Sequence, residues 1–251
     1  MKFSIVCPIK DEVDLALITL PSYYSIHPDE VILCLDKPAP RDVVTTIHRV
    51  AVGLGKENIT RILEVERNPD YRFHQAWVRR IGFRAARNDV ILTGDIDTMI
   101  DPKLREHFHL LEGNVKIVSF AKFSLTWHGA IAYLIQRLYP HKSFTGLYLF
   151  SRSAWLETED EESLKKIPTW EDTHLHAALT EKYNDIFVPN VKNVVLRPKE
   201  NKKYQFLMGW LISWKTRRIP VWRAIISSFL YYRPYVLVGY LEARCRGVKT
   251  I

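Results

Sequence analysis

Cysteine is scarce in this 251-residue sequence: Cys7, Cys34 and Cys245 are odd in number and far apart. No Cys-x-x-Cys pair and no Cys/His cluster at zinc spacing occurs, which excludes a disulfide framework and a structural zinc module. Cys7 and Cys34 sit in apolar runs and read as small buried hydrophobes, the usage of a reducing compartment. No stretch approaches the ~20 apolar residues of a membrane span. The opening Met1-Lys2-Phe3-Ser4-Ile5-Val6-Cys7-Pro8 is too short an apolar run for a secretory signal and lacks a small-residue cleavage site. Together these absences predict a cytoplasmic protein. Internal repeats and low-complexity segments are missing too, so neither a solenoid nor a disordered tail is expected.

What is present is an ordinary globular composition, 47% hydrophobic and 25% charged, enough for one large domain or a domain with an appendage. The net charge of +8 is unevenly placed. Residues 198–251 hold eleven Lys/Arg against Glu200 and Glu242, a local charge of +9, so the rest of the chain is near neutral. Ten of the thirty aromatic residues also fall there, among them Trp210, Trp214, Trp222, Phe229, Tyr231 and Tyr240. The polar connector Arg197-Pro198-Lys199-Glu200-Asn201-Lys202-Lys203 predicts a body over residues 1–200 and a basic, aromatic-rich helical extension over 201–251.

In the body, short apolar runs alternate with helical patterns. Phe3–Cys7, ended by Pro8, reads as a buried strand, and a helix through Leu15, Leu17, Ile18 and Leu20 breaks near Pro21. Glu30–Asp36, Thr60–Val65, Asp89–Gly94 and Val115–Phe120 are further strands, with helices over 41–54 and 74–87 between them. This alternation predicts a Rossmann-like α/β fold, a mostly parallel sheet with helices on both faces. Ligands bind such sheets outside the carboxyl ends of the strands, where Asp11, Glu12, Asp36, Asp95 and Asp97 fall.

Asp95-Ile96-Asp97 places two carboxylates two apart just past a buried strand, so both can face one site. Two hard oxygen ligands suit Mn²⁺ or Mg²⁺, which fill their remaining positions with water and substrate phosphates. Capping of the next element is the structural alternative. Trp170-Glu171-Asp172 precedes an amphipathic helix, so Glu171 and Asp172 suit either a helix N-terminus or a general base facing a hydroxyl.

The order of these features resembles the family 2 glycosyltransferases, whose fold is the A-type nucleotide-diphospho-sugar transferase (GT-A) fold. Val6-Cys7-Pro8-Ile9-Lys10-Asp11-Glu12 is similar to their opening strand-Pro-x-x-Asn-Glu, and Asp36 to the Asp that closes their second strand. Arg79-Arg80-Ile81-Gly82-Phe83-Arg84-Ala85-Ala86 is similar to their Arg-Asn-x-Gly-x-x-x-Ala helix, with Arg80 in place of Asn. Val90–Asp97 matches their strand and Asp-x-Asp, and Glu171-Asp172 through Pro189 their later Glu-Asp, helix and strand. The resemblance covers residues 3–197. It implies a transferase that moves a sugar from a nucleotide-diphospho-sugar to a saccharide or lipid-linked acceptor hydroxyl, with inversion. Pro8, Asp11, Glu12 and Asp36 would line the base and ribose pocket, with Arg79 near the diphosphate or base. Asp95 would touch the ribose or a metal-bound water, Asp97 would ligate Mn²⁺ or Mg²⁺, and Asp172 would be the base beside Glu171. Relatives place a metal ligand after the strand that follows Glu-Asp, and Val194-Val195-Leu196-Arg197 has no such His. Arg80, Arg84 and Arg87 suit either extra phosphate attraction or a solvated helix face. Trp127, His128 and Gly146 are placed on the acceptor side, and His174 and His176 at the surface or behind the site.

In the extension, Tyr204 to Tyr240 read as two helices interrupted by Pro220 and Pro234, and residues 204–246 are the expected membrane contact. A basic helix bearing Trp, Phe and Leu can lie peripherally on the inner face of a membrane, each Lys/Arg near an anionic surface adding about 1 kcal/mol. Packing of Leu207, Trp210, Leu211, Ile225, Phe229 and Leu237 onto the body is an equal alternative. Nucleic acid is disfavoured, as no binding motif accompanies the charge. A nucleotidyltransferase of the same fold and a non-catalytic membrane-surface protein are the rival functions.

Overall fold

Strand β1 (Phe3–Ile9) is buried at every position but Pro8, and β2 (Glu30–Asp36) is buried up to its final Asp36. Continuous burial without polar alternation is the mark of a strand covered on both faces. With β3 (Thr60–Val65) and β4 (Val90–Thr93), these strands form the parallel set β3-β2-β1-β4. The chain adds β2 and β3 on one side of β1 and then returns to lay β4 on the other. The strand order therefore reverses between β1 and β4, and the crevice beyond their carboxyl ends is the ligand position of such sheets.

The computed structural model describes residues 1–10, 12–124, 134, 146–166, 171–196, 206, 221–230 and 234–245. The sheet continues past β4 as β7 (Tyr148–Ser151), β6 (Val115–Ser124), β8 (Asn184–Val195) and β5 (Thr98–Met99). Here the pairing changes: β7 runs antiparallel to both β4 and β6, and β5 antiparallel to β8. The fold is thus a mixed α/β sheet of eight strands, parallel over one half.

Side-chain alternation along β1 separates two apolar layers. Phe3, Ile5 and Cys7 pack with Ala16, Leu20 and Tyr23 of α1 (Val13–Ser25) and Val43 and Ile47 of α2 (Arg41–Gly53). Val6, with Ile32 and Cys34 of β2, faces Val78 and Phe83 of α3 (His74–Ala85), Trp155 of α4 (Arg152–Thr158) and Leu175 of α6 (Glu171–Thr180). The short α5 (Glu161–Lys166) brings Leu164 to a small cluster with Tyr71 and Ala76. Helices cover both faces, as the alternation predicts.

Three prolines behave differently from the sequence expectation. β1 does not end at Pro8 but runs to Ile9, because β4 borders β1 only from Phe3 to Val6 and the proline is flanked by β2 alone. α1 continues through Pro21 to Ser25; burial of Tyr23 and Tyr24 in the next turn outweighs the ~3 kcal/mol cost of a mid-helix proline. β8 passes through Pro189, since β5 meets it further on, at Val194 and Val195.

The chain divides into two compact units, Met1–Lys122 with Gln136–Leu196, and Phe123–Ile135 with Arg197–Ile251. In the second, α7 (Val221–Leu230) follows Pro220 and α8 opens on Pro234 (Pro234–Cys245), the helix-start position where proline sacrifices no hydrogen bond. α7 and α8 pack on each other. Among the described residues no helix is long and apolar enough to cross a membrane.

Candidate functional site

The site is built from α3 inward. A Cβ on Gly82 would lie 2.5 Å from Val6 Cγ1 and 2.6 Å from Cys34 Sγ, so α3 can rest this close to β1 and β2 only with glycine there. One turn earlier, Arg79 is 3% exposed and its charge must be paired. Its Nη1 donates to Thr93 Oγ1 at 2.7 Å and to the Gly94 carbonyl at 3.3 Å, and its Nη2 pairs with Asp95 Oδ1. On the other side of that carboxylate, Lys122 Nζ of β6 stands 3.7 Å from Asp95 Oδ2.

Past β4 the chain turns, with the Thr98 N–H donating to the Asp95 carbonyl at 2.9 Å. Ile96 points into the core while Asp95 and Asp97 remain partly exposed, so the two carboxylates share the outer side of the turn. Tyr23 of α1, in the turn that Pro21 does not break, donates its hydroxyl to the Asp95 carbonyl at 2.7 Å. The Leu196 N–H donates to the Asp97 carbonyl at 2.7 Å, and Thr98 Oγ1 donates to Asp97 Oδ1 at 3.2 Å. A backbone amide of the segment after β8 thus holds the carboxylate turn.

Pro8 lies near the end of β1, Glu12 follows that strand, and Asp36 ends β2 beside them. The Glu12 carboxylate accepts the Lys10 N–H at 2.9 Å, closing the loop between β1 and α1. Asp36 Oδ1 lies 3.2 Å from His74 Nε2, at the start of α3. His74 is a residue the sequence reading missed; its only signal was its place at the helix start facing a strand-end Asp. Asp11, Trp127, His128, Trp170, Arg197 and the side chain of Glu171 lie outside the described residues.

Asp172 sits in the first turn of α6, not ahead of the helix. Gly146, at φ +68°, abuts it: a Cβ there would lie 2.5 Å from Asp172 Oδ2 and 3.3 Å from Lys122 Nζ. The Asp172 carboxylate, the Lys122 ammonium and, through Lys122, Asp95 therefore converge on one corner of backbone. Lys122 was also missed in the sequence, where a single Lys late in the run Ile117–Phe123 was the available signal. His174 lines, with Arg79, Arg80 and Asp172, a cavity of about 20 Å³, room for one water. His176 is buried, stacks on Tyr148 and lies 3.2 Å from Asp185 Oδ2, behind the site.

Arg80 is buried and paired, whereas Arg84 is exposed on the solvent side of α3 and paired as well. Glu159 holds both, at 2.5 Å from Arg80 Nε and in contact with Arg84 Nη2, and Glu161 takes Arg80 Nη2 at 2.6 Å. Arg87 Nε is 3.6 Å from Glu30 Oε1. Arg80 and Arg84 tie α3 to Glu159 and to Glu161 of α5, and the exposed Arg87 reaches Glu30 of β2. Burial, and then the nearby Asp95 charge, push the Cys7 thiol well above its ordinary range, and burial raises Cys34 to about 12. Both are neutral thiols, unsuited to nucleophilic work.

Asp95 and Asp97 fit a divalent cation by chemistry, being hard oxygen donors on one side of a fixed turn. Asp95 is already paired with Arg79 and Lys122. Among the described residues no group of three His, Cys, Asp or Glu converges, so phosphate oxygens and waters would complete the shell.

No sequence-family model matches the chain, and comparison with curated proteins finds no match. Among solved structures it is similar to mannosyltransferase PcManGT from Pyrobaculum calidifontis, in complex with GDP-Man and Mn²⁺, at TM-score 0.62 and 15% identity, covering 100% of this chain and 76% of that one. It is similar to S. aureus TarS 1–349 at TM-score 0.58 and 12% identity, over 96% and 71% of the two chains. The same TarS segment in complex with UDP-GlcNAc gives TM-score 0.57 and 12% identity, over 94% and 73%. The chain thus has a GT-A-like glycosyltransferase fold.

Proposed function

We propose that the protein is a metal-dependent, inverting glycosyltransferase that moves a sugar from a nucleotide-diphospho-sugar to an acceptor hydroxyl. The observation that most favours this reading is the convergence of Asp95, Lys122 and Asp172 at Gly146. A leaving nucleoside diphosphate needs positive charge, and a weakly nucleophilic sugar hydroxyl needs a proton acceptor. Pro8, Asp11, Glu12 and Asp36 would line the base and ribose pocket, and Asp97, with Asp95, would hold Mn²⁺ or Mg²⁺. That ion, when bound, supplies charge for the leaving diphosphate. Arg79 fixes the Asp95 carboxylate, and Lys122 adds a cation that is part of the protein. Asp172, flanked by Glu171, accepts the acceptor's proton as its oxygen attacks the anomeric carbon from the face opposite the departing diphosphate. The acceptor is a saccharide or lipid-linked hydroxyl presented near a membrane, to which the basic extension brings the enzyme.

The experiment is a thermal-shift panel of GDP-, UDP- and dTDP-sugars with Mn²⁺, Mg²⁺ or EDTA, followed by turnover with the donor that shifts. A donor at ~100 times its dissociation constant adds about 2.7 kcal/mol to stability. Asp97→Asn should abolish the metal-dependent shift, and Asp172→Asn should keep it while losing about 10²–10⁴ in turnover. Full activity in both variants overturns the reading, and release of pyrophosphate in place of nucleoside diphosphate assigns nucleotidyl transfer instead.

A further inference from the structure

We propose that the outer face of the α7–α8 pair is a seat for an anionic lipid bilayer. The inference deepens the membrane-near part of the function proposed above, but it rests on separate residues and is read by a separate assay. On α7, Val221 (42% exposed), Trp222 (56%), Ile225 (38%) and Phe229 (77%) are turned outward. At 3.6 residues per turn these four fall within about 100° of the helix circumference, one continuous stripe. On α8, Val238, Leu241 and Cys245 form a second exposed stripe at i, i+3 and i+7. The opposite side of α8 is occupied: Val236 and Tyr240 are buried, and a Cβ on Gly239 would collide with the backbone of Phe206. Each helix thus has an exposed apolar stripe, and on α8 the buried side lies opposite it.

Six of the thirteen exposed large hydrophobic residues among those described lie on these two short helices. A soluble surface scatters such residues singly, and a concentration of them marks an interaction site. Charge selects the occupant. From Lys215 to Arg246 the sequence carries seven Lys/Arg against the lone acid Glu242, and Arg244 is exposed at the end of α8, donating to the Tyr240 hydroxyl at 3.0 Å. Apolar stripes that include Trp and Phe within a cationic segment suit the headgroup boundary of an anionic leaflet, where apolar burial and lipid charge act together. Because neither helix is long enough to cross, the pair lies on the surface.

The test is co-sedimentation of the full chain with vesicles of phosphatidylcholine alone and of phosphatidylcholine mixed with phosphatidylglycerol. Binding is expected to the mixed vesicles only and to weaken as salt rises. Phe229→Ser and Ile225→Ser should each weaken it about tenfold, Phe229→Trp should restore it, and the melting midpoint and any donor-induced thermal shift should stay unchanged. Failure to bind anionic vesicles, equal binding to neutral ones, or indifference to both serine substitutions overturns the proposal. So does a dimer in light scattering that Phe229→Ser dissociates, which would make the face a self-contact, or single-stranded nucleic acid binding that Phe229→Ser abolishes while vesicle binding persists. Vesicle binding without any donor shift leaves this inference standing and removes the transfer chemistry instead.

Discussion

Gly146 and Asp172 meet so closely that no side chain fits between them: a Cβ on Gly146 would stand 2.5 Å from Asp172 Oδ2. The same glycine is at φ +68°, a left-handed conformation that costs other residues about 1–2 kcal/mol. Gly146→Ala should therefore lower the melting point by only a few degrees yet reduce turnover about a hundredfold, because the carboxylate must move away from the acceptor. Steady-state kinetics beside a thermal melt would separate the two effects. Near-normal turnover would show that Asp172 does not work from this position.

Lys122 is the protein's own cation between Asp95 and the Gly146 corner. Lys122→Met should cost about 10–100-fold in kcat/KM, near the lower end of what loss of a preorganised charge exacts. Lys122→Arg should recover most of it. An unchanged kcat/KM in the Met variant would confine the lysine to a structural role.

Gly82 sets the distance of α3 from β1 and β2. Adding one carbon drives it against Val6 Cγ1 and Cys34 Sγ, both on rigid central strands. Gly82→Ala should destabilise the fold by about 1–3 kcal/mol, read as a lower urea midpoint, as overpacking does. Donor binding should weaken in step, because Arg79 rides on the same helix.

Glu30 supplies the pH prediction. Burial alone would raise its carboxyl, but the Arg87 N–H, the Arg61 guanidinium at 2.5 Å and the Ser4 hydroxyl outweigh burial and hold it below its ordinary value of 4.5. A depressed carboxylate stabilises the fold above the unfolded value and loses that contribution as pH falls through the folded one. Stability should therefore decline steeply below the ordinary carboxylate range. Glu30→Gln should be less stable at neutral pH by about 1–2 kcal/mol, as when hydrogen bonds to a charged group are weakened while its half-exposed partners stay solvated, and should show a flatter acid limb in urea melts at stepped pH.

The parallel half of the sheet is legible in the sequence, β3 at its half-exposed edge through Ile62, Leu63 and Val65. β1, β2 and β4 are buried almost throughout, and burial of that kind leaves near-continuous apolar runs. Asp95 and Asp97 stand out for the same reason, as charges set directly against such a run. β5 and β7 are hidden because two and four residues carry no period of their own; partner strands define them. Arg80 misleads because its partner Glu159 lies 79 residues on, and only the folded chain shows the charge to be spoken for. Lys122 and Gly146 gain their meaning from Asp172, across a stretch no local pattern bridges.

The hydrogen bond from Leu196 to the Asp97 carbonyl also imposes an order of events on the chain's assembly. β1 to β4 pair among themselves, so the crevice beyond their carboxyl ends can form once little more than the first third of the molecule has emerged during synthesis. The carboxylate turn has to wait for β8, whose Val194 and Val195 pair with Met99 and Thr98 immediately beyond it. Long-range closures of this kind come late and slowly in folding. The protein therefore acquires that crevice before its carboxylate turn is fixed, and under the function proposed above nascent chains stay inert until almost the whole body has been made.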